Sequence, residues 1–246
     1  MQPKPAHLAP EYGAQFRDQS IADTYKHRPP YPPATVDLLA PLLVDEPRAV
    51  LDAGCGRGEL ARPLAHIAAR VDAVDPSAAL IAHGRALPGG NHPALSWILG
   101  AIEDATLRPP YALITAGASL HWMDGAVVLS RMAAALTPRG ALAIVDQHVA
   151  PSPWDAALQQ VINEFSTNRD YQPYDLVEEL ESRLLFRREG ERRTEPIPFV
   201  QSVAEYVESF HARNGFSRER VGPDRAVAFD AAALALVRGH RPRGEV

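Results

Sequence analysis

The chain has a single cysteine, Cys55, in 246 residues. That excludes an internal disulfide framework and makes a reducing, cytoplasmic setting the simplest expectation. No apolar run approaches the roughly 18 residues that a spanning helix needs, so no membrane partner is expected. The opening residues, Met1-Gln-Pro-Lys-Pro5, lack the apolar stretch of a signal peptide. Positive charge is not in excess: 25 Lys and Arg stand against 30 Asp and Glu, a net charge of −5. There is then no global basic field to attract nucleic acid. The arginines of the last third (Arg187, Arg188, Arg192, Arg193, Arg238, Arg241, Arg243) are interleaved with acids, as on a solvated surface. The histidines show no H-x-x-x-H spacing, so no metal site is expected. Internal repeats and low-complexity tracts are also missing. What remains is a chain with 46% hydrophobic and 22% charged residues, ordinary for a globular protein, and with 23 prolines, above the usual roughly 5%.

Short apolar runs bounded by turn residues predict strands at Ala49–Ala53, Arg70–Val74, Leu95–Leu99, Tyr111–Ala116 and Ala141–Asp146. Helical spacing falls between them: Ala34–Leu43, a stripe of Leu60, Leu64, Ile67 and Ala68, then Ser77–Leu87, and Asp124–Leu136 with Asp124 as its cap. Alternating strands and helices imply a doubly wound, mostly parallel α/β sheet. Before it, a helix over Ala14–Tyr25 leads into an extended arm. After Ala150 the pattern breaks at Pro151-Ser-Pro153. Helical spacing returns at Trp154–Asn168 and Asp175–Glu181, which reads as a helical lid inserted between the fifth strand and a sixth at Arg192–Phe199, and a helix over Ser202–His211 follows. The expected organisation is an arm over residues 1–33, a Rossmann-like core over 34–150, and a lid with the C-terminal part of the same domain over 151–246.

The densest signal is Val50-Leu-Asp-Ala-Gly-Cys-Gly-Arg-Gly-Glu-Leu60. A strand ends in Asp52, and Gly54, Gly56 and Gly58 follow at alternate positions before a helix. Glycines allow backbone dihedrals closed to other residues and let a ligand touch bare backbone. A second strand closes on Asp75, where a carboxylate can hold a ribose diol. Glu59 breaks the G-x-G-x-x-G pattern of a NAD loop, and no lysine completes a P-loop.

Asp52-x-Gly54-x-Gly56-x-Gly58, then Val74-Asp75-Pro76-Ser77, then Leu136-Thr-Pro-Arg-Gly-Ala-Leu-Ala-Ile144 together resemble the class I S-adenosylmethionine (SAM) dependent methyltransferases. The closest flavour is the type 11, trans-aconitate-methyltransferase-like small-molecule group. Tyr25-Lys-His-Arg28-Pro-Pro-Tyr31-Pro32 and Ala118-Ser-Leu-His121-Trp122 fit it too. The resemblance covers residues 20–150 well and the remainder in outline. It implies SAM as cofactor, S-adenosylhomocysteine as product, and a small-molecule acceptor. It also implies that Gly54, Gly56 and Gly58, with Cys55 among the cofactor-binding residues of the same loop, pass the chain around the methionine half of SAM, with Asp52 ordering the loop beneath. Asp75, beside Pro76, accepts the ribose hydroxyls, although a helix cap is its alternative role. Tyr25 and Arg28 on the arm approach the carboxylate end.

The family's acid after the third strand is replaced here by Ala101, which leaves Ile102 backbone and Glu103 for adenine. His121 is the candidate base or acceptor contact, with a local structural role as its alternative. Trp122, Trp154 and Tyr31 are candidate acceptor contacts. Cys55 reads as a small loop residue whose backbone is what matters. Tyr171, Tyr174, Phe210, His211 and Phe216 either line a pocket or hold the lid. Oxygen or carbon acceptors fit a histidine base best. A silent SAM-binding module, or another SAM-using enzyme on the same fold, is the alternative. Family members finish with an antiparallel seventh strand; here its presence is in doubt.

Overall fold

Five of the short apolar runs become one parallel sheet. In the computed structural model, which describes residues 4–246 except 170, 171, 173, 183, 185 and 242, the strands are β1 (Ala49–Ala53), β2 (Arg70–Asp75), β3 (Leu95–Leu99), β4 (Tyr111–Gly117) and β5 (Leu136–Val145). Tyr171 therefore lies outside the described residues. The strand order is β3-β2-β1-β4-β5, and every ladder is parallel. The order reverses between β1 and β4, the position at which open α/β sheets bind ligands beyond their strand C-termini.

The chain divides into two compact units: residues 1–4, 30–147 and 173–196, and residues 5–29, 148–172 and 197–246. In the first unit, alternation along the strands feeds both faces of the sheet. Ala49, Leu51 and Ala53 of β1 join Ile114, Ala116 and the helix Gly125–Ala135, which buries Val128, Leu129 and Met132. That helix is capped as expected: Asp124 Oδ1 accepts the N–H of Ala126 at 2.9 Å. On the other face Val50 packs with Leu60, Leu64, Val71 and Leu113. The helix Leu176–Ser182, read from sequence as lid, buries Leu180 in the first cluster and so belongs with the sheet.

The second unit is helical. Its core joins Trp154, Leu158, Val207, Phe210, Phe216 and Phe229. A capping box holds the start of the helix Val203–Glu208, with Ser202 Oγ accepting from Glu205 N–H and Glu205 accepting from Ser202 N–H. The longest helix, Pro223–His240, buries Ala226, Phe229, Ala233 and Val237.

Several expectations are corrected. Ala14–Tyr25 is not one helix but short pieces, Ala14–Arg17, Gln19–Thr24 and Tyr25–His27, and only Ala61–Leu64 is α-helical after the glycine loop. β5 begins at Leu136 rather than Ala141, because Tyr111 pairs with Leu136 across an irregularity. Arg192–Phe199 forms no strand. Pro196 and Pro198 have no N–H to give a ladder. Among the described residues the sheet stops at β5, and Ser202 and Glu245 make only an isolated antiparallel bridge. No helix among them is long and apolar enough to cross a membrane.

Candidate functional site

The loop after β1 has the backbone the glycines imply. Gly54, Gly56 and Gly58 all lie at positive φ, at 69°, 56° and 75°. At Gly54 the requirement is also steric: a Cβ would stand 2.5 Å from Ser119 Cβ. The N–H groups of Gly54 and Cys55 both donate to the Val74 carbonyl, at 2.9 and 3.0 Å, which ties the loop to the end of β2. Cys55 is buried, and burial pushes its thiol well above its ordinary pKa. Such a thiol is inert, so Cys55 serves the loop through its backbone and small size.

Asp75 closes the cradle from β2. Its Oδ2 accepts the Gly56 N–H and its Oδ1 the Ser77 N–H, each at 2.8 Å. The carboxylate is thus oriented by two backbone donors at the switch-point edge, beside the half-buried Pro76. Ser77 caps the following helix Ala78–Ala86 itself, its Oγ accepting from Leu80 N–H at 3.3 Å.

Asp52 lies beneath the loop, 1% exposed. Its Oδ1 accepts the Thr115 hydroxyl at 2.8 Å, while Oδ2 is buried with no donor at hydrogen-bonding geometry among the described residues. Burial pushes the carboxyl up to about 7. Thr115 and the Ala61 backbone oppose that rise, and Glu59 and Asp75 add to it. A buried acceptor without a partner costs about 1–3 kcal/mol, so one inside a ligand cradle points to a donor that the ligand supplies.

The third wall is the turn after β4. Ala118 adopts φ 48°, a left-handed conformation unusual for a residue with a Cβ, and strain of this kind clusters at functional sites. The turn lets Ser119 Oγ donate to the Ala53 carbonyl at 2.6 Å, joining the ends of β1 and β4. The 3₁₀ turn Leu120–Trp122 follows, with the His121 and Trp122 rings 4.7 Å apart and both half-buried. Glu103 braces this turn, accepting the Asp124 N–H at 2.8 Å, and Lys4 Nζ donates to the Met123 carbonyl at 3.0 Å. Ile102 is buried beside the half-buried Ala101. Tyr31 belongs to the same unit: its hydroxyl lies 2.7 Å from where a Cβ on Gly117 would sit.

The sheet unit thus brings together Asp52, Gly54, Cys55, Gly56, Asp75, Pro76, Ala101, Ile102, Glu103, His121, Trp122 and Tyr31. Tyr25, Arg28 and Trp154 belong to the helical unit. Arg28 donates to the Tyr25 hydroxyl at 3.2 Å and lies over its ring. Trp154 is 2% exposed, with its indole N–H given to Tyr206 at 3.2 Å, the environment of a core residue. Thr115, Ala118, Ser119 and Lys4 were missed from sequence. Thr115 had left a signal, a polar residue in a buried apolar strand opposite another polar one. Among the described residues no group of three or more metal-ligating side chains occurs.

Residues 50–140 match the family model of a methyltransferase domain. The chain is 34% identical to the ubiquinone biosynthesis O-methyltransferase of Bradyrhizobium diazoefficiens over 39% of its length and 38% of that protein. It is also 34% identical to the malonyl-[acyl-carrier protein] O-methyltransferase of Halalkalibacterium halodurans over 40% of its length and 38% of that protein. It spans about two fifths of the length of these curated relatives. A solved structure from Anaeromyxobacter dehalogenans, provisionally named a type II methyltransferase, superposes over 85% of this chain and 89% of that one, with TM-score 0.55 and 25% identity. The matched segment, residues 50–140, is similar to a methyltransferase domain, and it contains the glycine loop and four of the five strands of the sheet.

Proposed function

We propose that the chain transfers a methyl group from SAM to a small molecule, with an oxygen or carbon acceptor favoured. The observation that carries the reading is the Asp75 carboxylate, held by Gly56 and Ser77 N–H groups beside a left-handed glycine loop at the sheet's switch point. SAM, when bound, supplies a methyl group already activated on a sulfonium.

The residues then have separable tasks. Asp75 accepts from the ribose diol. The bare backbone of Gly54 and Gly56 allows close approach of the methionine half. Asp52 Oδ2, which has no donor at hydrogen-bonding geometry among the described residues, takes one from the ammonium directly or through water. Ile102 backbone, and Glu103 close by, face adenine. His121 takes the acceptor's proton, a task suited to an imidazole near neutral pH. Trp122 and Tyr31 wall the methyl site and exclude water.

The test is calorimetric titration with SAM, S-adenosylhomocysteine and NADH, followed by an acceptor screen read by product mass. Micromolar binding of the two sulfur ligands and a product heavier by one methylene support the reading. Binding of NADH alone overturns it. SAM binding without turnover over a broad panel would make the chain a binding module.

A further inference from the structure

The glycine loop is held by different means along its length. Its inner half is tied to β2: the Gly54 and Cys55 N–H groups donate to the Val74 carbonyl, and the Gly56 N–H donates to Asp75. Its outer half, Arg57 and Gly58, meets the helix Ala78–Ala86 and the ring of Trp97 from β3. A Cβ on Gly58, which lies at φ 75°, would stand 2.6 Å from Trp97 Cη2. A Cβ on Gly84 of that helix would stand 2.5 Å from the same atom and 2.7 Å from the Arg57 carbonyl oxygen. The far edge of the indole is therefore wedged between the bare backbone of the loop and the bare backbone of the helix. All of these residues belong to the sheet unit.

The wedge is itself fixed. Trp97 lies opposite Ala73 in the ladder between β3 and β2, and its half-buried indole donates its N–H to the Gly90 carbonyl at 2.8 Å. Gly90 packs so closely on the end of the helix that a Cβ there would stand 2.2 Å from the Gly84 carbonyl oxygen. Arg62 adds a second hold on the loop. Its Nε donates to the Arg57 carbonyl at 3.0 Å and its Nη1 to the Pro88 carbonyl at 2.9 Å.

A loop with three glycines at alternate positions has many backbone paths open to it, because glycine gives up more conformational freedom on folding than any other residue. A cradle already ordered before its ligand arrives does not pay that ordering cost on binding. We propose that Trp97 is a positioning residue for the cofactor: its ring fixes the outer half of the glycine loop and so sets the affinity for SAM, an inference that rests on the methyl-transfer reading above. The reach of the ring is what matters. Leucine fills part of the space but stops short of Gly58. Phenylalanine keeps an aromatic ring, also stops short of Gly58, and has no N–H for Gly90.

Trp97→Leu and Trp97→Phe are compared with the wild-type full chain in two measurements. One is calorimetric titration with SAM. The other is amide hydrogen exchange of residues 54–60 in the ligand-free chain, read by mass spectrometry. Both variants are expected to lose about tenfold or more in SAM affinity, and residues 54–60 to exchange faster. Met132→Ala opens a cavity in the core on the opposite face of the sheet and is expected to lower stability while leaving both readouts unchanged.

Gly58→Ala supplies an independent line. Its positive φ is equally costly whatever residue stands at position 97, but its Cβ meets the ring only when Trp97 is present. Its cost in SAM affinity should therefore be smaller in the Trp97→Phe background than in the wild-type one, a coupling that reports the contact itself. If Trp97→Leu fails to fold, Trp97→Phe and this comparison decide the matter. SAM affinity within about twofold of wild type in folded Trp97 variants overturns the proposal. So does unchanged exchange over 54–60, an equal loss in Met132→Ala, or a cost of Gly58→Ala that is the same in both backgrounds. Wild-type protein that binds no SAM refutes the cofactor reading and the affinity claim with it, while exchange in the ligand-free chain still decides whether Trp97 holds the loop.

Discussion

Asp52 carries a prediction that joins stability to ligand binding. Its carboxyl is buried, its Oδ2 has no donor at hydrogen-bonding geometry among the described residues, and burial pushes its pKa up to about 7. In an unfolded chain an aspartate titrates near 3.9. The folded chain therefore holds this proton more tightly than the unfolded one. The stabilisation is fully present below about pH 4 and is lost as the pH rises through about 7. At about 1.4 kcal/mol for each tenfold change in proton affinity, the full effect is about 4 kcal/mol. Asp52→Asn has the same shape, retains an oxygen for the Thr115 hydroxyl and takes no charge. Urea unfolding of both proteins from pH 4 to pH 8.5 should show a widening gap in favour of the asparagine variant, complete by about pH 8. Above pH 7 the same substitution should weaken SAM binding, because the ionised Oδ2 that meets the ammonium is gone. Two stability curves that run parallel in pH would refute the burial argument. Unchanged SAM affinity at pH 8 would remove Asp52 from the cofactor site.

Three further outcomes follow from the same geometry. Asp75→Ala leaves the Gly56 and Ser77 N–H groups and a ribose diol without their acceptor, so SAM affinity should fall by about 1–3 kcal/mol in calorimetry; unchanged affinity in a folded variant sinks the ribose assignment. Gly54→Ala puts a Cβ 2.5 Å from Ser119 Cβ at a left-handed φ, so thermal melting should show a loss of at least about 1–2 kcal/mol, and SAM binding should fall with it. His121→Ala should leave SAM affinity nearly intact and slow turnover about 100-fold; a change of less than a few-fold returns the ring to a structural role.

The sheet was legible because its signals are local and redundant. Val50-Leu-Asp-Ala53 is apolar, ends at glycines, and precedes a helix, so strand, turn and ligand edge are all written within a few residues. Asp52, Asp75 and the glycines could be picked out for the same reason: each interrupts an apolar run at its C-terminal end, where a parallel sheet meets its ligand. The geometry after β4 was not legible in this way. Nothing about an alanine reveals a positive φ at Ala118, and the bond from Ser119 to the Ala53 carbonyl joins residues far apart in sequence. Nor does the sequence of Glu103 show that it accepts the Asp124 N–H, which makes it a brace for the His121 turn whatever else it contacts.

The helical unit was hardest to read, and the helix Pro223–His240 shows why. Its buried stripe is Ala226, Phe229, Ala233 and Val237, spaced for one face, but two of the four are alanines that barely register as hydrophobic. The available signal was of another kind, a proline at the first helical position after Gly222, followed by many strong helix formers. Propensity and a start signal locate this helix where amphipathic contrast does not. The same weakness of contrast hides Arg213. In a run of mixed polar and aromatic residues it looks like any surface arginine, and only the fold shows that Phe210 lies under it and Arg28 beside it. Motifs report where a chain touches a cofactor of fixed shape. Juxtapositions between distant segments become visible only once the helices have packed.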